Sequence, residues 1–154
     1  MITPAPAHPI QILLADDDHD DHYLFDKELK ATPFNTQLTT LDDGEKLMTY
    51  LYKNSQNMPD ILFLDHNMPR KNGAECLQEI KQHRQLKSLP VIMYSTYVHE
   101  DIADLYYTNQ AHFYIRKTSQ KELRKLLQHV LTLFVEKRFT QPARENFVLN
   151  VAGI

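Results

Sequence analysis

Acidic residues crowd one short stretch of this chain: Asp16-Asp17-Asp18 and Asp20-Asp21 follow directly on the apolar run Ile10–Ala15. Carboxylates packed so densely cannot all stay ionised unless a cation joins them or their pKa values rise. A second apolar run, Ile61-Leu62-Phe63-Leu64, ends in Asp65. Two further runs end in the hydroxyls Ser95-Thr96 and in the basic pair Arg116-Lys117. Two or three oxygen ligands with water positions left open suit Mg²⁺, which dehydrates reluctantly. A cation held there would shield an incoming phosphoryl group from its acidic surroundings. Asp65 could then attack phosphorus as a carboxylate nucleophile. Ser95 and Lys117 could bond the phosphoryl oxygens and offset their charge.

These side chains meet only if the four runs are strands whose carboxyl ends share one edge. The patterning predicts strands over Ile10–Ala15, Thr36–Leu41, Ile61–Leu64, Val91–Ser95 and His112–Ile115. Between them fall segments with helical spacing. The first runs from Asp20 to Lys30, with Phe25 and Leu29 one turn apart and Pro33 beyond its end. Asp43 can cap the second, whose apolar face is Leu47, Met48 and Leu51. Gly73 opens the third, with Leu77 and Ile80 inward, and a short fourth surrounds Ile102, Leu105 and Tyr106. The last carries Leu123, Leu126, Leu127, Val130, Leu131, Phe134 and Val135, reaches about Phe139, and starts at a capping box of Ser119 and Glu122. Strands alternating with helices imply an α/β fold with a parallel sheet covered on both faces. Right-handed crossovers favour a flavodoxin-like, doubly wound (βα)5 arrangement, a five-stranded sheet of order 2-1-3-4-5. Ligands in such folds sit at the carboxyl ends of the strands, where the four runs end.

Composition narrows the alternatives. The 154 residues are 42% hydrophobic and 24% charged, which suits a single globular domain rather than a fibrous or disordered chain. The apolar runs are far too short for a membrane span or a signal-peptide core, so a cytoplasmic protein is expected. Residues 1–65 carry 12 acidic and 4 basic side chains, whereas residues 66–154 carry 8 and 13. That asymmetry, with a net charge of −3, argues against a nucleic-acid binder. The lone cysteine, Cys76, excludes an internal disulfide and reads as a packing residue. His19 and His66 have no second imidazole at zinc spacing. The proline-bearing residues 1–9 read as a flexible leader, 10–139 as the domain and 140–154 as a tail. The tail's Phe147–Val151 segment is apolar enough to pack on the domain or on a dimer mate.

Taken together, the strings ILLADDD, LFLDHNMPRKNG, LPVIMYST and FYIRK resemble the receiver domain of two-component response regulators, over about Ile10 to Phe139. The resemblance places the acidic pair at Asp16 and Asp17 and the phosphoacceptor at Asp65, followed by Met68, Pro69 and Gly73. It places the hydroxyl and aromatic switch residues at Ser95 and Tyr114 and the phosphate-binding lysine at Lys117. It implies a phosphoacceptor rather than an enzyme, with slow Mg²⁺-dependent loss of the phosphoryl group tuned by Asn67 and Tyr97. Mg²⁺ would be held by Asp17, Asp65 and the backbone carbonyl of Asn67, with Asp16 acting through water. The donor would be a histidine kinase or phosphotransfer protein. Ser95 and Tyr114 would then reshape the face of helix four, strand five and helix five toward a downstream protein target. Thr118 stands where the family has a proline in a cis peptide. A cis bond before threonine costs roughly 3–4 kcal/mol, so either the site bears that cost or the loop is trans.

Two rival readings use the same residues. Asp16-Asp17-Asp18 fits the Asp-x-Asp spacing of a haloacid-dehalogenase-like phosphatase with Asp16 as nucleophile, but no late acidic pair follows Lys117. A phosphate-independent binding module with a receiver-like fold would draw its support from Thr118. A calcium loop fails, because Asp21 and Lys27 fall where glycine and glutamate are needed. About fifteen residues follow Phe139, too few for an output domain, so a single-domain regulator acting through protein contacts is expected. The long final helix could support a homodimer. Its basic residues Lys121, Arg124, Lys125, Lys137 and Arg138 form a solvated face or meet an acidic partner.

Overall fold

A computed structural model describes residues 8–96 and 99–154 of the chain. The elements alternate in order as β1 (Ile10–Ala15), α1 (His19–Lys30), β2 (Thr36–Leu41), α2 (Gly44–Lys53), β3 (Ile61–Leu64), α3 (Gly73–Gln82), β4 (Val91–Ser95), α4 (Glu100–Thr108), β5 (Phe113–Arg116), α5 (Gln120–Val135) and β6 (Val148–Leu149). The described pairings are all parallel, and the strands lie in the order β2-β1-β3-β4-β5-β6. No helix among the described residues is long and apolar enough to cross a membrane.

Strand periodicity divides the core into two layers. Successive side chains of a strand point to opposite faces, so Leu13 and Ala15 pack with α2, α3 and α4, while Ile12 and Leu14 pack with α1 and α5. Central strands covered on both faces carry continuous apolar runs, and all four residues of β3 are buried. By contrast β2, at the sheet edge, has a half-polar TQLTTL sequence and no fully buried residue. Across the second layer the Glu28 carboxylate, 1% exposed, accepts a 2.7 Å bond from Arg124 and ties α1 to α5.

Local chemistry fixes where the elements begin. The Asp18 side chain accepts from the backbone N–H groups of Asp20 and Asp21, so it caps α1, and Asp43 caps α2 by accepting from Lys46. Asn72 and Glu75 form a reciprocal capping box at α3. The box expected at Ser119 and Glu122 is only half present. Ser119 accepts from the Glu122 N–H, but the Glu122 carboxylate turns to the Thr118 hydroxyl instead.

Two expectations about the C-terminal part are corrected. The sheet has six strands rather than five, because Val148–Leu149 adds beyond β5, with Tyr114 N–H donating to the Phe147 carbonyl at 3.0 Å. A two-residue strand carries too little alternation to register as one in the sequence. The last helix ends at Val135 rather than near Phe139: Lys137 adopts φ 60°, a left-handed turn that stops the helix. Phe139 then folds back against His112 and Phe113. Residues 140–154 accordingly pack on the domain itself, with Phe147 fully buried and Leu149 at 9% exposure. The Gln141 side-chain amide donates to the carbonyls of Tyr107 and Ala111, and the Tyr107 hydroxyl donates to the carbonyl of Pro142. The leader expected over residues 1–9 lies outside the described residues up to residue 7.

Because Phe147 fills a core position, truncating it leaves a cavity. Phe147→Ala should lower the unfolding free energy by about 3–5 kcal/mol, measured by urea titration. A loss below about 1 kcal/mol would show that the tail does not pack in solution as it does here.

Candidate functional site

The carboxyl ends of β1, β3, β4 and β5 converge on one edge of the sheet. From β1 come Asp16, fully buried, and Asp17, which is exposed; from β3 comes Asp65, 4% exposed. Ligand oxygens of these three carboxylates lie within 4.8 Å of one another. β4 ends in the buried Ser95, and Lys117 follows β5 with its backbone N–H bonded to the Ser95 carbonyl at 2.8 Å. The residues singled out for chemistry are thus brought together, although up to 101 positions separate them in the chain.

The loop after β3 explains the need for glycine at 73. A Cβ there would sit 2.2 Å from the Asp65 carbonyl oxygen and 2.9 Å from the His66 Cα, and no side chain fits that gap. The Gly73 N–H bonds the His66 carbonyl at 2.9 Å, closing the loop directly beneath Asp65. Gly44 meets the same loop from α2, where an added Cβ would lie 2.0 Å from the Lys71 carbonyl oxygen. The backbone N–H of Asn67 lies toward the Asp65 carboxylate and favours its ionised form.

Charge in the pocket is severely imbalanced. Lys117 Nζ lies 2.8 Å from Asp16, 2.7 Å from Asp21 and 3.3 Å from Asp65. It also stands 5.3 Å from the centre of the Tyr94 ring. Burial pushes the Asp16 carboxyl up to about 7, against the pull of Lys117. Burial likewise raises Asp65 above the ordinary carboxylate value, with Lys117 opposing. For Lys117 itself burial lowers the pKa, but the carboxylates around it raise it further, so the ammonium stays charged. The Oδ2 of Asp16 is buried with no aligned hydrogen-bond donor, although it stands at ion-pair distance from Lys117. An all-oxygen cluster of three carboxylates, one of them exposed, fits a hard divalent cation that keeps some of its water.

No peptide bond among the described residues is cis, so the Lys117–Thr118 bond is trans. Lys117 reaches the pocket regardless. Tyr114 is fully buried and in hydrogen-bonding contact with Ser95. Its ring packs edge-on against Tyr106 of α4 at 5.3 Å, and Tyr106 packs against His66 at 5.6 Å, with a hydrogen bond between the His66 Nδ1 and the Tyr106 hydroxyl. Tyr97 lies outside the described residues. Cys76 is a buried packing residue whose thiol burial pushes up to about 12. The sequence reading missed Asp21, Tyr94 and Tyr106 as neighbours of the site. The position of Asp21 one turn into a helix that starts at the acidic run was the available signal.

A carboxyl raised by burial stabilises the fold while protonated. That contribution is complete below the unfolded value of 3.8 and is lost as the pH climbs through about 7. Asp16→Asn should therefore raise the melting temperature of the protein in EDTA at pH 8 by roughly 2–4 °C, and the gain should shrink toward zero near pH 4. An equal shift at both pH values would show that Asp16 ionises in the fold as easily as in the unfolded chain.

Comparison with known proteins agrees with this geometry. Residues 12–130 match the family model of the response regulator receiver domain. The chain is 34% identical over 134 residues to response regulator Rcp1 of Synechocystis, covering 83% of this chain and 90% of Rcp1. Among solved structures it is similar to the Mn²⁺-bound form of Rcp1, with a TM-score of 0.75 and 33% identity over 88% of this chain and all of that one. It is also similar to the phosphorylated cyanobacterial phytochrome response regulator RcpA, with a TM-score of 0.76 and 28% identity over 84% of this chain and 96% of RcpA. The matched residues include every strand end that contributes to the pocket, and the chain belongs to the response regulator receiver domain family.

Proposed function

We propose that this protein accepts a phosphoryl group on Asp65 from a histidine kinase or phosphotransfer protein and passes the signal on through protein contacts. The observation that carries the reading is the convergence of Asp65 with Asp16, Asp17, Ser95 and Lys117 at one sheet edge. An Asp65 carboxylate oxygen attacks phosphorus as the phosphorus–nitrogen bond to the donor imidazole breaks, and the proton needed by the leaving imidazole comes from solvent. Asp17, Asp65 and the Asn67 backbone carbonyl would hold Mg²⁺, with Asp16 acting through water, and the cation would supply the positive charge that lets an anionic phosphoryl group enter an acidic pocket. Lys117 and the Ser95 hydroxyl bond the transferred oxygens. RcpA was crystallised phosphorylated and Rcp1 with Mn²⁺ bound, and both facts about these relatives support the reading.

Tyr114 and Ser95 form the switch in this reading, a local charge change that biases a two-state packing. The face they control is altered here by β6, which sits beyond β5, so the signalling surface comprises α4, the C-terminal segment and α5. A homodimer or a separate target would meet that surface. Hydrolysis of the aspartyl phosphate would be slow and would need the same cation. The phosphatase alternative at Asp16 loses its basis with family membership, and the phosphate-independent alternative loses the argument from Thr118, since a trans bond still delivers Lys117 to the acidic cluster.

Intact-mass measurement after incubation with acetyl phosphate tests the proposal. A single phosphoryl adduct should form with Mg²⁺, be absent in EDTA, and be lost in Asp65→Asn. An adduct retained in Asp65→Asn would overturn the assignment of the acceptor, and no adduct in the wild-type protein would overturn the phosphoacceptor role with this donor.

A further inference from the structure

Lys117 is asked to do two incompatible things. It must stay within reach of a phosphoryl group on Asp65, yet two of the three carboxylates around it, Asp16 and Asp65, belong to the candidate cation cluster. An ammonium and a divalent cation drawn to the same oxygens repel each other, and burial makes that repulsion stronger than it would be in water. The third carboxylate is different. Asp21 stands outside the cluster of Asp16, Asp17 and Asp65, on the first turns of α1, and its Oδ2 accepts the shortest of the three contacts, 2.7 Å. The side chains of Lys117 and Asp21 are 13% and 24% exposed, so the pair is partly shielded from solvent.

In the loop that follows β5, the described side chains turn to α5 rather than to Lys117. The Thr118 hydroxyl is turned to Glu122 and Ser119 caps α5, so both neighbours serve the helix. The lysine head is placed from across the sheet edge, between Asp16 and Asp65 on one side and Asp21 on the other, with the face of Tyr94 beside it. The short Asp18 cap fixes α1 at its first turn and so sets where Asp21 points: the Asp18 carboxylate accepts from the Asp20 N–H at 2.8 Å.

We propose that Asp21 is a positioning residue that anchors the Lys117 ammonium outside the cation's carboxylates, so that lysine and cation occupy the pocket together instead of competing for it. The inference rests on the receiver reading of the site. Removing the anchor leaves Lys117, among the described residues, with Asp16 and Asp65 as its carboxylate partners, and a cation must then displace it from them to bind.

Calorimetric titration with MgCl2 of the wild-type protein, Asp21→Asn, Lys117→Ala and the double variant tests this. Asp21→Asn should weaken Mg²⁺ binding about tenfold, the scale of coupling between contacting charges. In the Lys117→Ala background the same substitution should change affinity by less than about twofold, because no ammonium is left to compete. Asp21→Glu should restore most of the affinity. Equal weakening in both backgrounds would mean that Asp21 acts only as a distant negative charge, and it would overturn the proposal while leaving the receiver reading intact. Unchanged affinity in Asp21→Asn would overturn it as well. Failure of the wild-type protein to bind Mg²⁺ would overturn both readings at once.

Discussion

The burial of two carboxylates side by side, with a single ammonium to offset them, is the constraint around which this molecule is arranged. Asp16 and Asp65 end adjacent parallel strands that are apolar on both faces, so the fold that creates the core also carries charge into it. Desolvation of that kind is tolerated only where compensating charge is close. Lys117 arrives from the far side of β4, and its path is set by the bond between its own N–H and the Ser95 carbonyl. The close approaches at Gly73 and Gly44 keep the loop after β3 tight against this group, which leaves Asp17 as the carboxylate still open to solvent.

Most of that arrangement is legible in the amino-acid order. Continuous apolar runs such as ILFL mark strands covered on both faces, and the polar side chain after each run marks the edge where they meet. The order of the first five strands follows from crossover handedness. What stays hidden is of two kinds. Contacts such as Lys117 with Asp21 join residues 96 positions apart and depend on the exact start of α1, which a single cap at Asp18 decides. Short pieces such as β6 and the left-handed turn at Lys137 carry no periodic signal, because one strand pair or one φ angle leaves too small a trace in the sequence. Leu105 shows a related limit: it belongs to the apolar pattern of α4, yet it is 45% exposed.

A line of aromatic rings joins the acceptor loop to the C-terminal segment. His66 contacts Tyr106, Tyr106 contacts Tyr114, and Tyr114 stands 6.5 Å from Phe147, which in turn packs against Tyr107. Tightly packed rings do not deform continuously, so a change in the rotamer of one requires its neighbours to repack. Coupling between the pocket and the outer strand therefore has a physical route through α4 that does not require the sheet to move.

The two borders of the sheet differ in how they are protected from unwanted strand pairing. At one border β2 presents threonine and glutamine side chains, a polar rim with little to offer an incoming apolar strand. At the other, β5 would expose the fully apolar stretch Phe113-Tyr114-Ile115 along its open backbone if β6 were lost. β6 is two residues long, and the chain turns away at Val151 into a short 3-10 turn, so the template it presents is too brief for a foreign strand to register on. The C-terminal segment thus acts as a terminator of the sheet, and losing it would turn an open apolar strand edge into a nucleus for self-association.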